Sequence, residues 1–179
     1  MRQTLTSNQE YADVESRVLR LATGVVMTRP TIKLADRSDY PGIAEIAARH
    51  RRSGADYYQA PLPDDPREIE ETESQIFLVA KLDGRSVGYL WLHSDGSLQS
   101  NDDHAQPIIV VDPDYTRKGI GSSLLERAID ISSTKTKIGQ LRANIKRGNS
   151  AAEKMCAKAG FVMRHQGDRG SMWALNIEH

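Results

Sequence analysis

The sequence has one cysteine, no surplus of either charge and no long apolar run, and each of these absences excludes a class of protein. A single cysteine, Cys156, cannot form a disulfide within the chain and is typical of a reducing compartment. Basic and acidic residues both number 24, so no net field attracts nucleic acid or an anionic membrane. No apolar stretch approaches the length of a membrane-spanning helix. These features predict a cytoplasmic protein with no nucleic-acid or membrane partner.

The first residues also lack the composition of a targeting peptide, because Glu10, Asp13 and Glu15 precede any apolar stretch. With 179 residues, the chain is long enough for one domain with a substantial core. We divide it into an N-terminal extension of residues 1–28 and a domain of residues 29–179. Apolar residues recur at three- and four-residue steps in the extension, which predicts that it is partly helical.

The domain shows patterns of both strands and helices. Residues 75–82 and 85–93 predict two strands, and Asp83-Gly84 between them is a strong signal for a type I′ hairpin. Residues 100–106 are polar and predict a loop. The mixture of strands and helices predicts an α/β fold.

Residues 108–125, IIVVDPDYTRKGIGSSLL, predict a strand, a turn and a helix in succession. The four β-branched residues at 108–111 suit a strand buried on both faces, and Pro113 ends it. Apolar residues recur at helical spacing from Ile120 onward, so a helix follows. The turn between these elements is a strand-to-helix connection.

This turn has two interpretations, a tight connection without a ligand or a phosphate site. Gly119 and Gly121 lack side chains, so a ligand can approach their backbone. The first N–H groups of the following helix have no intrahelical partner, and the helix dipole favours negative charge there. Arg117 and Lys118 add two cations. The spacing matches neither a P-loop nor the G-x-G-x-x-G of dinucleotide-binding folds.

A second stretch, residues 149–161 (NSAAEKMCAKAGF), favours the phosphate site. The two stretches together resemble the GNAT superfamily of acyl-CoA-dependent N-acetyltransferases. The first looks like its pyrophosphate loop, V-x-P-x-x-[RQ]-x-x-G-x-G, and the second like its helix N-x-x-A-x-x-L-Y-x-K-x-G-F. The matching residues of the loop are Val111, Pro113, Gly119, Gly121, Leu124 and Leu125. Those of the helix are Asn149, Ala152, Lys158, Gly160 and Phe161.

Several positions depart from the pattern of the family. Thr116 holds the usual arginine or glutamine position, Met155 replaces a leucine, and Cys156 stands where tyrosine is usual. Pro107 and Ile108 occupy the places in which many members have a glutamate. The motifs therefore do not assign the acid or the base of a reaction.

The resemblance implies a mixed, mostly antiparallel central sheet flanked by helices, with a splayed central strand that admits the acyl-CoA. It implies acetyl-CoA as the acyl donor, no metal, and direct attack of an amine on the thioester. The acceptor is expected to be a small molecule, an amino acid or a peptide. The expected cofactor-binding residues are Ile109, Val110, Val111, Thr116, Arg117, Lys118, Gly119, Ile120, Gly121, Ser122 and Asn149.

Three roles in the chemistry have candidate residues. The resemblance makes the N–H of Val110, or that of Val111, the donor to the oxyanion, and it places Cys156 where an acid would protonate the CoA thiolate. A buried apolar role is the alternative for Cys156. His104 is the candidate base because imidazole titrates near neutral pH. Its alternative is a solvated loop residue, and His93 is open to the same two interpretations.

Two functions therefore stay open. One is an N-acetyltransferase whose partners are acetyl-CoA and an amine. The other is a catalytically weak or inactive CoA-binding sensor or interaction module, as the missing tyrosine, glutamate and loop arginine permit. The sequence leaves the identity of the acceptor and homodimerisation open.

Overall fold

A computed structural model describes residues 29–53, 69, 72, 74–94, 96, 98–99 and 104–179, so the predicted extension of residues 1–28 lies outside the described part. The elements are β1 (Thr31–Leu34), α1 (Tyr40–Arg52), β2 (Gln75–Leu82), β3 (Arg85–His93), β4 (His104–Val111), α2 (Ile120–Lys135), β5 (Gln140–Lys146), α3 (Ser150–Lys158), β6 (Val162–Gly167) and β7 (Gly170–Asn176). Short 3-10 turns, Arg37–Asp39 and Pro113–Tyr115, precede α1 and α2. None of the helices in the described part is long and apolar enough to cross a membrane.

The strands form one sheet in the order β1-β2-β3-β4-β5-β7-β6. Every neighbouring pair is antiparallel except β4 and β5, which are parallel. Asp83 and Gly84 join β2 to β3 with φ angles of 49° and 79°, as a type I′ turn requires. The predicted mixed, mostly antiparallel sheet is confirmed.

Apolar residues cover both faces of the sheet. On the face that we call the α1 face, Ile43 of α1 packs in one cluster with Val110 of β4. On the opposite face, the α2–α3 face, Leu124 and Cys156 pack in one cluster with Ala105 of β4. Because side chains alternate along a strand, the even-numbered residues of β4 point to the α1 face and the odd-numbered ones to the α2–α3 face.

The parallel strands β4 and β5 pair only where they begin, at His104 with Gln140 and at Ala105 with Leu141. Beyond these residues β4 stays paired with β3, and β5 stays paired with β7. The two strands therefore diverge into a V that is narrow at Ala105 and wide at their carboxyl ends. This geometry confirms the predicted splayed central strand. The predicted loop of residues 100–106 is wrong for residues 104–106, which belong to β4, and its first four residues lie outside the described part.

Candidate active site

A cavity of about 320 Å³ fills the V between β4 and β5, and we call it the cleft. It is lined by residues 106–109 of β4, residues 142–146 of β5, and Leu125, Asn149, Ala152, Met155 and Cys156. Its narrow end lies beside the last pair of β4 and β5, and its wide end lies toward the first turns of α2 and α3. The sheet thus provides an elongated site between two strands that would otherwise be hydrogen-bonded to each other.

The wide end carries the predicted phosphate turn, residues 116–122, which we call the anion turn. Gly119 is the N-cap of α2 with φ 79°, and Arg117 has φ 61°. A left-handed conformation costs a residue other than glycine about 1–2 kcal/mol, so Arg117 marks local strain at the turn. A Cβ on Gly121 would lie 3.3 Å from the sulfur of Met155, a cleft residue. The start of α2 therefore borders the cleft, with the unpaired N–H groups of its first turn beside it.

The side chains of the anion turn differ in how they are held. The hydroxyl of Thr116 donates to the carbonyl oxygen of Pro113 at 3.2 Å, so it stabilises the turn itself. Lys118 Nζ lies 4.6 Å from the centre of the Tyr115 ring, a cation–π distance. Arg117 is exposed, and among the described residues nothing pairs with its charge. Arg117 and Lys118 thus both present a positive charge at the anion turn, and the contact of Lys118 with Tyr115 fixes the position of its charge.

The segment that leads from β4 to the anion turn is anchored by a buried carboxylate that the sequence motifs do not include. Asp112 is 1% exposed, and its Oδ2 accepts a hydrogen bond from Arg49 Nη1 of α1 at 3.0 Å. Its Oδ1 accepts from the N–H of Asp114 at 3.1 Å. Arg49 also pairs with the exposed carboxylate of Asp114. One aspartate thus ties the turn after β4 to α1.

The hydrogen bonds of β4 decide which of its backbone groups face the cleft. The N–H of Asp112 donates to the carbonyl oxygen of Val87 in β3 at 3.0 Å. Because backbone groups alternate between the two sides of a strand, Val110 also directs its N–H at β3, whereas Ile109 and Val111 direct theirs at the cleft. This geometry corrects the prediction that the N–H of Val110 is an oxyanion donor. It keeps Val111 as a candidate and adds Ile109.

Pro107 lies where β4 and β5 separate. The same alternation places its nitrogen on the side of β5, directly after Ala105, the last residue of β4 that pairs with β5. Proline has no N–H and cannot continue the hydrogen-bond ladder. This missing donor helps to explain why pairing stops at Ala105. It also makes Ile109 the cleft-facing residue whose N–H lies nearest the narrow end.

Polar side chains collect at the narrow end on the α1 face. His104 is partly buried and sits opposite Gln140, and His93 of β3 sits opposite Gln106. Arg142 follows on β5 and lines the cleft. The structure therefore brings both candidate bases to the same end of the cleft, on the face away from α2 and α3.

Cys156 lies in the opposite wall, on the α2–α3 face. It is 3% exposed and belongs to the apolar cluster of that face. Burial raises the pKa of its thiol to about 11. The side chain is therefore a neutral thiol at physiological pH, which agrees with an acid or an apolar role and excludes a resident thiolate nucleophile.

Asn149 caps α3, because its Oδ1 accepts a hydrogen bond from the N–H of Ala152 at 3.2 Å. It also lines the cleft. The predicted contact of Asn149 with CoA is compatible with this capping role.

The fold and the cleft define an α/β protein with an elongated site between two diverging parallel strands. The sequence model of the acetyltransferase (GNAT) family matches residues 42–161, which is more than half of the chain. The chain belongs to the GNAT family of acetyltransferases, as the two motifs predicted.

Solved structures agree with this assignment at the level of the fold. An acetyltransferase of the GNAT family from Streptococcus pneumoniae is 23% identical, with a TM-score of 0.69, over 83% of this chain and 99% of that one. A putative acetyltransferase from Salmonella typhimurium, yncA, solved with its cofactor acetyl-CoA, is 22% identical with a TM-score of 0.69, over 85% and 96%. The ribosomal-protein-S18-alanine N-acetyltransferase from Escherichia coli is 21% identical with a TM-score of 0.62, over 84% and 95%. Among curated proteins, none matches the chain.

Proposed function

We propose that the protein transfers an acetyl group from acetyl-CoA to the amine of a small molecule, amino acid or peptide by direct attack on the thioester. The observation that carries this proposal is the cleft itself, which joins a helix start with unpaired N–H groups to a gap between two parallel strands. In one wall of this gap, β4 offers backbone groups without a partner strand. Such an arrangement suits a long, phosphorylated acyl carrier that takes the place of a missing strand.

Different residues of the cleft would bind different parts of acetyl-CoA. The N–H groups of residues 120–122, with Arg117, would bind the pyrophosphate at the wide end. The backbone groups of Ile109 and Val111 would pair with the pantetheine arm, in the manner of a neighbouring strand. From Val111 to Gln106 the strand runs roughly 17 Å, at about 3.4 Å per residue. The thioester would then lie at the narrow end, among the candidate bases.

The chemical step needs a polarised carbonyl and a proton acceptor. The N–H of Ile109 is our proposed donor to the carbonyl oxygen, since it faces the cleft and lies nearest the narrow end. We propose that His104, on the α1 face, accepts the proton of the attacking amine. Leu125, Met155 and Cys156 line the cleft on the α2–α3 face, so we propose that the amine approaches from the α1 face.

The test of the function is the release of free CoA thiol from acetyl-CoA across a panel of amines, amino acids and peptides. Acceptor-stimulated release with formation of the N-acetyl product would support an acetyltransferase. Binding of acetyl-CoA without stimulated release by any acceptor would favour the alternative, a sensor that holds CoA without turnover.

We expect His104→Gln to lower kcat on the order of a hundredfold while leaving acetyl-CoA affinity within a few-fold, because the base acts only in the chemical step. His93→Gln is the matched control, since both histidines lie at the narrow end and only one is the proposed base. Steady-state kinetics with a saturating acceptor measure the effect. If His93→Gln loses activity and His104→Gln does not, the two roles are reversed.

We propose that Cys156 acts as an apolar wall of the cleft rather than as the acid. With a pKa of about 11, it is a weaker acid than an ordinary thiol of pKa about 8.5, which the departing CoA resembles. Proton transfer from this thiol to the CoA thiolate would therefore be uphill. We therefore expect Cys156→Ala to retain kcat within about tenfold.

Comparison with Cys156→Ser separates the two roles, because serine restores a small polar donor while alanine does not. A loss of a hundredfold or more in kcat for alanine, with acetyl-CoA affinity kept, would restore the acid role. Since Cys156 is the only cysteine, alkylation of the parent reports on this side chain alone. It should be slow at pH 8 and slower with acetyl-CoA bound.

Three expectations from the sequence stay predictions. They are the cytoplasmic location, the boundary at residue 28 between an N-terminal extension and the domain, and a possible homodimer. Val162 and Met163 on the edge strand β6 are 53% and 46% exposed, and they are the residues to examine if the protein proves dimeric in solution.

A further inference from the structure

Arg142 occupies a position at the narrow end of the cleft that the motifs do not explain. It is the first residue of β5 beyond the last pair with β4, and it lines the cavity. Its strand neighbours Leu141 and Ala143 belong to the core of the α2–α3 face, so Arg142 points to the α1 face. A cation is therefore placed on the side from which, in the proposed function, the amine approaches.

The guanidinium of Arg142 is held from one side. Its Nε donates to Gln140 Oε1 at 2.6 Å, and Gln140 Nε2 donates to Asn176 Oδ1 at 2.9 Å. This chain of hydrogen bonds runs across β5 and β7, where Gln140 and Asn176 are register partners. The orientation of Arg142 is thus fixed by the sheet, and its two terminal nitrogens have no hydrogen-bond partner among the residues that the structure describes.

The positive charge of Arg142 has no protein counter-ion among the described residues, unlike that of Arg49, which pairs with Asp112 and Asp114. A partly buried charge without a counter-ion is costly, and it is commonly found where a ligand supplies the missing charge. The edge formed by the two terminal nitrogens matches the two oxygens of a carboxylate in a bidentate pair.

The donor is not the source of the missing charge in this arrangement. The phosphates belong at the anion turn, at the opposite end of the cleft from Arg142. The thioester end that reaches the narrow end carries no negative charge. The acceptor is the reactant that remains.

We infer that the acceptor is an amine that also carries a carboxylate, and that Arg142 binds this carboxylate at the narrow end of the cleft. Gln140 is the positioning residue that holds the guanidinium. The inference rests on the proposed acetyltransferase function and narrows its substrate class to amino acids and related amino carboxylates.

The test compares matched pairs of acceptors, each an amino acid and the amine that remains when its carboxyl group is removed, by release of CoA thiol. The parent should favour the carboxylated member by at least tenfold in kcat/KM. Arg142→Gln should raise KM for that member about ten- to a hundredfold, with kcat within a few-fold, because the lost contact serves binding. The KM of Arg142→Lys for the carboxylated member should lie between those of the parent and Arg142→Gln. Lysine keeps the positive charge but lacks the two parallel N–H donors of the guanidinium.

Two measurements distinguish this role from others. The acetyl-CoA Kd of Arg142→Gln should equal that of the parent, and a large loss would make Arg142 a donor contact and overturn the inference. Arg164→Gln, an exposed arginine on β6, should behave like the parent toward both members of each pair. Equal use of both members by the parent, or an unchanged preference in Arg142→Gln, would also overturn it.

Failure of the proposed function gives a different pattern. If no acceptor stimulates release, titration calorimetry of the amino acids into the CoA-saturated protein decides the carboxylate site separately. Binding to the parent and not to Arg142→Gln supports the site in a protein without turnover. Absence of binding to the parent overturns it.

Discussion

Replacing Gly121 by glutamate should abolish the stabilisation of the protein by acetyl-CoA. At a hundredfold excess over Kd, the donor should stabilise the parent by about 2.7 kcal/mol. For a chain of this size this corresponds to a rise in Tm of roughly 5–10 °C. The Cβ of the new residue would lie 3.3 Å from Met155 Sδ and 3.8 Å from Ile109 Cγ2. Bulk and negative charge would then occupy the wide end of the cleft, where we propose that the pyrophosphate binds.

The fold should survive this change, which makes the result informative. Gly121 lies in the first turn of α2, where glutamate is a better helix former than glycine and complements the helix dipole. The side chain of Met155 is flexible enough to yield by a few tenths of an ångström. The Tm without ligand should therefore stay close to that of the parent, as differential scanning fluorimetry can show.

Gly121→Ala is the matched control, because it adds the Cβ without the charge. It should keep most of the shift that acetyl-CoA produces. A Gly121→Glu protein that retains the full shift would show that the donor binds elsewhere. Loss of the shift in both variants would assign the effect to bulk alone.

Much of the fold could be predicted because its signals are local. The hairpin of β2 and β3 has the predicted bounds, since Asp83-Gly84 encodes a type I′ turn within two residues. The start of β4 could not be predicted in this way. His104 and Ala105 are strand residues because β5 pairs with them, and a partner 36 residues away leaves no mark on a polar stretch.

The candidate site likewise has parts that local sequence predicts and parts that depend on long-range pairing. The anion turn follows from Gly119 and Gly121, whose effect on the backbone is local. The direction of the Val110 N–H depends instead on the register between β3 and β4, and a shift of one residue would reverse it. The orientation of Arg142 likewise depends on Asn176, because Asn176 accepts a hydrogen bond from Gln140, and Gln140 accepts one from Arg142. The first of these hydrogen bonds forms only when β7 pairs with β5. Neither feature leaves a motif in the sequence.

The contact between Asp112 and Arg49 joins residues 63 positions apart, and we expect it to hold the anion turn in place. Asp112→Ala removes a carboxylate that is 1% exposed and leaves the N–H of Asp114 without its acceptor. Breaking a buried pair from one side typically costs 3–5 kcal/mol. Because Arg49 is partly exposed and keeps Asp114 as a partner, we expect the lower end of this range. The free energy of unfolding should fall by about 3 kcal/mol, as measured by urea denaturation.

Asp114→Ala is the matched control, because it removes the other carboxylate paired with Arg49 from a side chain that is 68% exposed. An exposed pair contributes about 0–1 kcal/mol, so this variant should stay close to the parent. The stability of Asp112→Asn should lie between those of Asp112→Ala and Asp114→Ala, since the amide oxygen of asparagine still accepts a hydrogen bond from the N–H of residue 114. Acetyl-CoA affinity should fall in the same order among these variants, because Asp112 holds the segment that leads from β4 to the anion turn, where we propose that the phosphates bind. If Asp112→Ala and Asp114→Ala are equally stable, Asp112 is not a buried anchor. If the two variants bind acetyl-CoA equally well, the contact of Asp112 with Arg49 does not affect the anion turn.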